Sequence, residues 1–119
     1  MFGINTDERF QDILPGIKIK TLVHGDKTLM AKFLLGKGGV LPKHAHPFEQ
    51  TGCLIQGKLN LTIGNISREI KAGDCWCIGP DVAHFAEALE DSIALEIFSP
   101  SRPDYLKYFC KEDGIPNPE

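Results

Sequence analysis

GGVLPKHAHPFEQTGCLIQG, running from Gly38 to Gly57, holds two of the chain's four histidines one residue apart, His44 and His46, with Gln50 four positions on. Side chains of a β-strand alternate between its faces, so a regular extended backbone turns His44, His46 and Gln50 to one side. Imidazole nitrogen is a preferred ligand of zinc, copper, iron and nickel, and an amide oxygen can complete such a set. Glu49 competes for the oxygen position, but its parity puts it on the opposite face and leaves the position to Gln50. A His-x-His pair alone is weak evidence, since solvated strands carry such pairs by chance.

Downstream, Lys58 to Ala72 separates this run from a second block, GDCWCIGPDVAH, which ends on His84. Leu59, Leu61 and Ile63 alternate with polar residues up to Gly64-Asn65, and Ile66, Arg68 and Ile70 alternate beyond it, a hairpin pattern. Cys75 to Ile78 reads as the next strand. Ile93 to Phe98 reads as another, with Ile93, Leu95 and Ile97 on one face and Ala94, Glu96 and Phe98 on the other. Upstream, Ile17–Thr21 and Thr28–Leu35 are strand patterns joined by a turn at His24–Lys27, which makes His24 a solvated turn residue. Asp7 to Leu14 reads as a short turn or helix ended by Pro15-Gly16. After the Ser99–Pro103 break, Asp104 to Phe109 reads as a short helix, and Gly114 to Pro118 as a loose tail. Many short strands at regular spacing define an all-β sandwich or barrel.

A length of 119 residues supports one sizeable core, and 42% hydrophobic with 24% charged residues is the balance of an ordinary globular protein. A net charge of −3 offers no basic field for nucleic acid or an anionic membrane. No run approaches the ~20 apolar residues that span a bilayer. The N-terminus lacks the charged start and apolar run of a signal peptide, so the expected location is the cytoplasm. The four cysteines, Cys53, Cys75, Cys77 and Cys110, are not spaced as a disulfide framework and are expected to be buried structural thiols.

Gly38, His44, His46, Gln50 and Gly57 fit Gly-x5-His-x-His-x3-Glu-x6-Gly, with Gln50 in place of Glu, and so resemble the first motif of the cupin superfamily. The block from Gly73 resembles the second motif, Gly-x5-Pro-x-Gly-x2-His-x3-Asn, with Gly79 at the Pro position, Asp81 for the second Gly and Ala88 for the Asn. The resemblance implies a double-stranded β-helix (jelly-roll barrel) as one domain over residues 1–119, its core spanning about residues 15–100. It also implies one divalent transition metal, zinc, nickel, iron or manganese, held by His44, His46, Gln50 and His84. An amide in place of the carboxylate leaves the cation more of its charge and makes it the stronger Lewis acid.

HAHPFEQTGCLIQGKLNLTIG, PDVAHFAEALEDS and LEIFSPSRPDY further resemble the KdgF family of small cupins, which convert 4,5-unsaturated uronates to the open-chain keto form in pectin and alginate catabolism. That likeness implies catalytic roles for Glu96, where the family has Asp, and for Arg102. Phe98 and Arg102 would bind a small carboxylated sugar, and two copies would pair as a homodimer. On spacing alone Glu96 and Arg102 also fit an ordinary ion pair at a barrel rim, with Phe98 as core. An iron-dependent dioxygenase and a non-catalytic sugar- or small-acid-binding cupin are the alternatives for the whole chain. The face of Ile93, Leu95 and Ile97 is either sandwiched core or outer sheet surface.

Overall fold

The computed structural model describes residues 1–110 as ten β-strands and one 3-10 helix. In chain order the strands are β1 (Gln11–Leu14), β2 (Ile17–His24), β3 (Leu29–Leu35), β4 (Val40–His44), β5 (Glu49–Gln56), β6 (Lys58–Ile63), β7 (Ile66–Lys71), β8 (Cys75–Ile78), β9 (His84–Ala88) and β10 (Ser92–Ser99). The 3-10 helix covers Pro103–Tyr108. Six strands form one antiparallel sheet in the order β1-β2-β3-β10-β5-β8, and four form the other in the order β4-β9-β6-β7. This two-sheet, all-β arrangement is the jelly roll that the strand pattern and the motifs imply. No helix among the described residues is long and apolar enough to cross a membrane.

Alternation explains which side of each sheet is inside. Leu29, Ala31, Phe33 and Leu35 of β3 are buried, as are Ala94, Glu96 and Phe98 of β10. They meet Leu59, Leu61, Ala86 and Ala88 of the smaller sheet in one continuous core. Removing such apolar surface from water supplies the main drive to fold, about 25 cal/mol per Å².

Several readings of the sequence are corrected by this register. Residues 11–14 are a strand, not a helix or turn: Pro15-Gly16 folds β1 back on β2, with Gln11 opposite Ile19, and Gly16 takes the positive φ of 74° that the turn needs. His24 closes β2 and sets its ring edge-on to Phe109, centroids 4.8 Å apart, instead of lying free in a turn. Cys75 and Cys77 are exposed, and Cys53 and Cys110 half-buried, because Trp76 and Ile78 take the inward positions of β8. Of the two readings open for Ile93, Leu95 and Ile97, the register selects outer sheet surface, since Glu96 and Phe98 own the inner face. The tail at Gly114–Pro118 lies outside the described residues.

Candidate metal centre

His44 ends β4, His84 begins β9, and the two are direct partners in the antiparallel register. His46 does not continue the alternation of β4. The strand is irregular between Leu41 and His44, and the chain then crosses from the small sheet to the large one through Ala45–Phe48. This crossing swings the His46 ring back toward the other two and delivers Gln50 into β5, inward and buried, while Glu49 is exposed. The outcome matches the parity argument; the cause is a turn joining two sheets. One nitrogen from each of His44, His46 and His84 lies within 4.8 Å of the others.

Each ring is fixed by a backbone carbonyl two residues away. His44 Nδ1 stands 2.7 Å from Pro42 O, His46 Nδ1 3.0 Å from Phe48 O, and His84 Nδ1 2.9 Å from Val82 O. A carbonyl only accepts, so these contacts place the proton on Nδ1 and leave Nε2 as a lone pair, the tautomer that binds a metal. Burial, with the charge of Arg102, pushes His46 below its ordinary pKa, and burial does the same to His84. Both therefore favour the neutral form that a metal requires.

The donor atoms fit a cation on two further counts. His84 Nε2 is buried with no hydrogen-bond partner among the described residues. His46 Nε2 lies 3.0 Å from Gln50 Oε1, so a lone pair confronts an acceptor oxygen when the ring's one proton is on Nδ1. A cation between these atoms turns both conflicts into bonds. Three imidazoles and an amide oxygen are the nitrogen-rich set that first-row transition ions take.

Opposite the histidines stands an acid. Glu96 Oε2 accepts from Gln50 Nε2 at 2.7 Å, and both carboxyl oxygens accept from Trp76 Nε1, at 3.1 and 3.2 Å. Burial pushes the Glu96 carboxyl up to about 8, against the pull of these donors. Gly52, on β5, is the Cα partner of both Glu96 and Trp76. A Cβ there would stand 2.5 Å from Glu96 Oε2 and 2.5 Å from Trp76 Nε1, so the contact between acid and indole occupies the space a side chain would fill.

Arg102 and Glu96 do not form the rim ion pair that their spacing allows. Arg102 donates from Nε to Asp104 Oδ1 at 3.1 Å and from Nη2 to Asp104 Oδ2 at 2.6 Å, and this holds the Asp104 carboxyl below its usual range. Its guanidinium lies 3.8 Å from the ring centre of Tyr105, 4.7 Å from that of Phe98 and 5.1 Å from that of Phe48. Thr21 Oγ1 donates to Tyr105 O at 2.7 Å and ties this corner to β2. Phe98 is 1% exposed, so it meets the cavity only from within, beneath Arg102. The cavity bounded by His44, Gln50, His84, Glu96 and Arg102 measures about 50 Å³. That is room for a few waters, so a larger ligand must lodge at the mouth, where His44 is exposed.

Trp76, Gly52, Asp104 and Tyr105 are absent from the sequence-derived site. The lone glycine inside a strand pattern was the one available signal, since it marks close approach of another group.

The sequence pattern of the cupin domain family matches residues 31–99, more than half of the chain. With the double-sheet fold and the clustered histidines, this places the protein in the cupin family. Among its relatives is the pectin degradation protein KdgF of Dickeya dadantii (strain 3937), 27% identical over 107 residues, which span 88% of this chain and 97% of that protein. The solved structure of KdgF from a Halomonas species superimposes with a TM-score of 0.84 at 31% identity, covering 87% of this chain and 96% of that one. The H2HPP isomerase of Bacillus subtilis is 31% identical over 99 residues, which are 82% of this chain but 42% of that protein.

Proposed function

We propose that this chain is a metal-dependent enzyme of sugar-acid breakdown, converting 4,5-unsaturated uronates into their linear keto form. The observation that carries the reading is Glu96, an enclosed acid hydrogen-bonded to the amide that faces the three imidazoles. Likeness to two KdgF proteins, one with a known structure, supports the substrate class.

His44, His46, Gln50 and His84 would hold one divalent ion, which when bound supplies Lewis acidity to a substrate oxygen. Arg102 receives the substrate carboxylate with the N–H groups that Asp104 leaves free, and its aromatic bed keeps the guanidinium plane in place. Phe98 forms the floor under that clamp. Glu96, kept protonated near neutral pH by burial, carries a proton between oxygen and carbon as the cyclic hemiacetal opens and the enol becomes the ketone. Two copies pair through the outer face of the large sheet, where Ile97 is exposed. Sedimentation of Ile97→Glu as a monomer beside a dimeric parent would support that pairing.

Incubation with lyase-generated unsaturated galacturonate and with the mannuronate or guluronate counterpart, followed by loss of the conjugated absorbance and product NMR, tests the activity. Glu96→Gln is expected to stop turnover with bound metal unchanged. Full activity in that variant removes Glu96 from the reaction, and inactivity of the parent on every unsaturated uronate removes the substrate class.

A further inference from the structure

On β2 the inward positions run Ile17, Ile19, Thr21, so a hydroxyl stands where the alternation calls for an apolar side chain. Thr21 is 1% exposed. Valine has the same shape and no polar group to desolvate, so the hydroxyl needs a partner to be tolerated there. Thr21 Oγ1 finds it in the Tyr105 carbonyl, 2.7 Å away on the 3-10 helix. Among the described residues this is the one side-chain hydrogen bond that joins the helix to the barrel. The Thr21 main chain bridges to Phe109 as well, just beyond the helix.

The tether meets the site through Tyr105. The Tyr105 main-chain N–H donates to Arg102 O at 3.1 Å, and the ring stands 3.8 Å from the Arg102 guanidinium and edge-on to Phe98, centroids 5.2 Å apart. Arg102, Asp104 and Tyr105 therefore form one local unit, bonded and stacked within itself. Apolar packing is non-directional and lets such a unit slide, whereas a hydrogen bond to its main chain fixes it along β2. Thr21 does not line the cavity, so it reaches the site only through Tyr105.

We infer that Thr21 is a positioning residue: its hydroxyl, acting through the Tyr105 main chain, sets the plane of the Arg102 guanidinium at the cavity. The role rests on the proposed reading of Arg102 as the clamp on a substrate carboxylate. Bidentate capture needs the guanidinium fork in the plane of the carboxylate, so a tilted fork loses its grip while the metal ligands and Glu96 keep their places. The loss falls on substrate binding, not on proton transfer.

The test compares the full ¹⁵N-labelled chain, loaded with zinc as a diamagnetic ion, with its Thr21→Val and Thr21→Ser variants. Valine keeps the buried shape and removes the hydroxyl; serine keeps the hydroxyl and removes a buried methyl, so the pair separates tether from packing. The Arg102 Nε–H signal, identified by its loss in Arg102→Lys, is expected to exchange with water about three- to tenfold faster in Thr21→Val. In Thr21→Ser it should keep the parent's rate. On lyase-generated unsaturated galacturonate or its mannuronate or guluronate counterpart, whichever the parent turns over, Thr21→Val should raise KM by a similar factor, with kcat within about twofold of the parent. Thr21→Ser should keep the parent's KM. An unchanged Arg102 signal in Thr21→Val overturns the inference, as does serine acting like valine, or an unchanged KM in Thr21→Val. If the parent turns over no unsaturated uronate, the substrate reading falls by itself, and the Arg102 signal still decides the role of Thr21.

Discussion

His44 and His84 stand on the four-stranded sheet, and Gln50 and Glu96 stand across the cavity from them on the six-stranded sheet. The imidazoles are each held by one carbonyl of their own segment, Pro42 or Val82, so each is set locally. Among the described residues nothing local holds Glu96. Its donors are Gln50 on β5 and Trp76 on β8, and they reach it over the bare Cα of Gly52. The histidine wall is thus a set of separately fixed parts, whereas the acid wall is one unit spread over three strands. Change to the first should act on metal in proportion to the ligand removed; change to any member of the second should disturb the whole.

The largest contrast is expected between His84→Ala and Glu96→Gln. Loss of the His84 ring should weaken metal binding by well over about a hundredfold in chelator competition, beyond what removing a supporting contact does. Turnover should vanish with it. Glu96→Gln should keep the metal and lower turnover by about 10²–10⁴-fold. Equal metal loss in both variants would erase the distinction between the walls.

Gly52→Ala sharpens it next. The added methyl must displace Glu96 or Trp76, at a stability cost of about 1–3 kcal/mol by denaturant titration, and turnover should fall while metal affinity holds. An active, fully stable alanine variant would show that the acid and indole need not touch. Trp76→Phe keeps most of the ring and removes one donor, so a fall in turnover of about tenfold is expected, corresponding to about 1.4 kcal/mol.

The smallest effect belongs to Asp104→Asn. Its carboxyl is held low by Arg102, so the folded chain favours the charged form; that stability is present above the unfolded carboxyl value and is lost as pH falls through the lower folded one. Because Asp104 is half exposed, the variant should lose only about 0.2–1 kcal/mol at neutral pH. Thermal melts of parent and variant should converge in acid. A gap that widens as pH falls would contradict the pairing.

How far the sequence carried the structure depends on how local each cause is. Alternation in 93–98 identified two opposite faces, and β10 puts Glu96 and Phe98 inward as that pattern allows. Gly64-Asn65 marks a real hairpin between β6 and β7. A regular strand predicts the convergence of His46 for the wrong reason, since the chain changes sheets there. Trp76 and Glu96 lie twenty positions apart, on strands that each pair with β5, and periodicity carries no record of non-local pairing. The burial average for cysteine predicts the wrong side for Cys75 and Cys77, whereas strand parity sets them opposite the inward Trp76. Asp104 leaves no trace in the periodicity because its grip on Arg102 depends on how the chain enters a six-residue 3-10 helix.

The bare Cα at position 52 also bears on how relatives of this chain are told apart. A homologue with alanine or serine there would retain every histidine, the glycine frame and the barrel, and would score as the same protein in any comparison built on those signatures. Its acid and indole would nonetheless be pushed apart. One hydrogen atom where others have a methyl group can therefore divide chains that share a metal-binding signature into those with this acid in place and those without it.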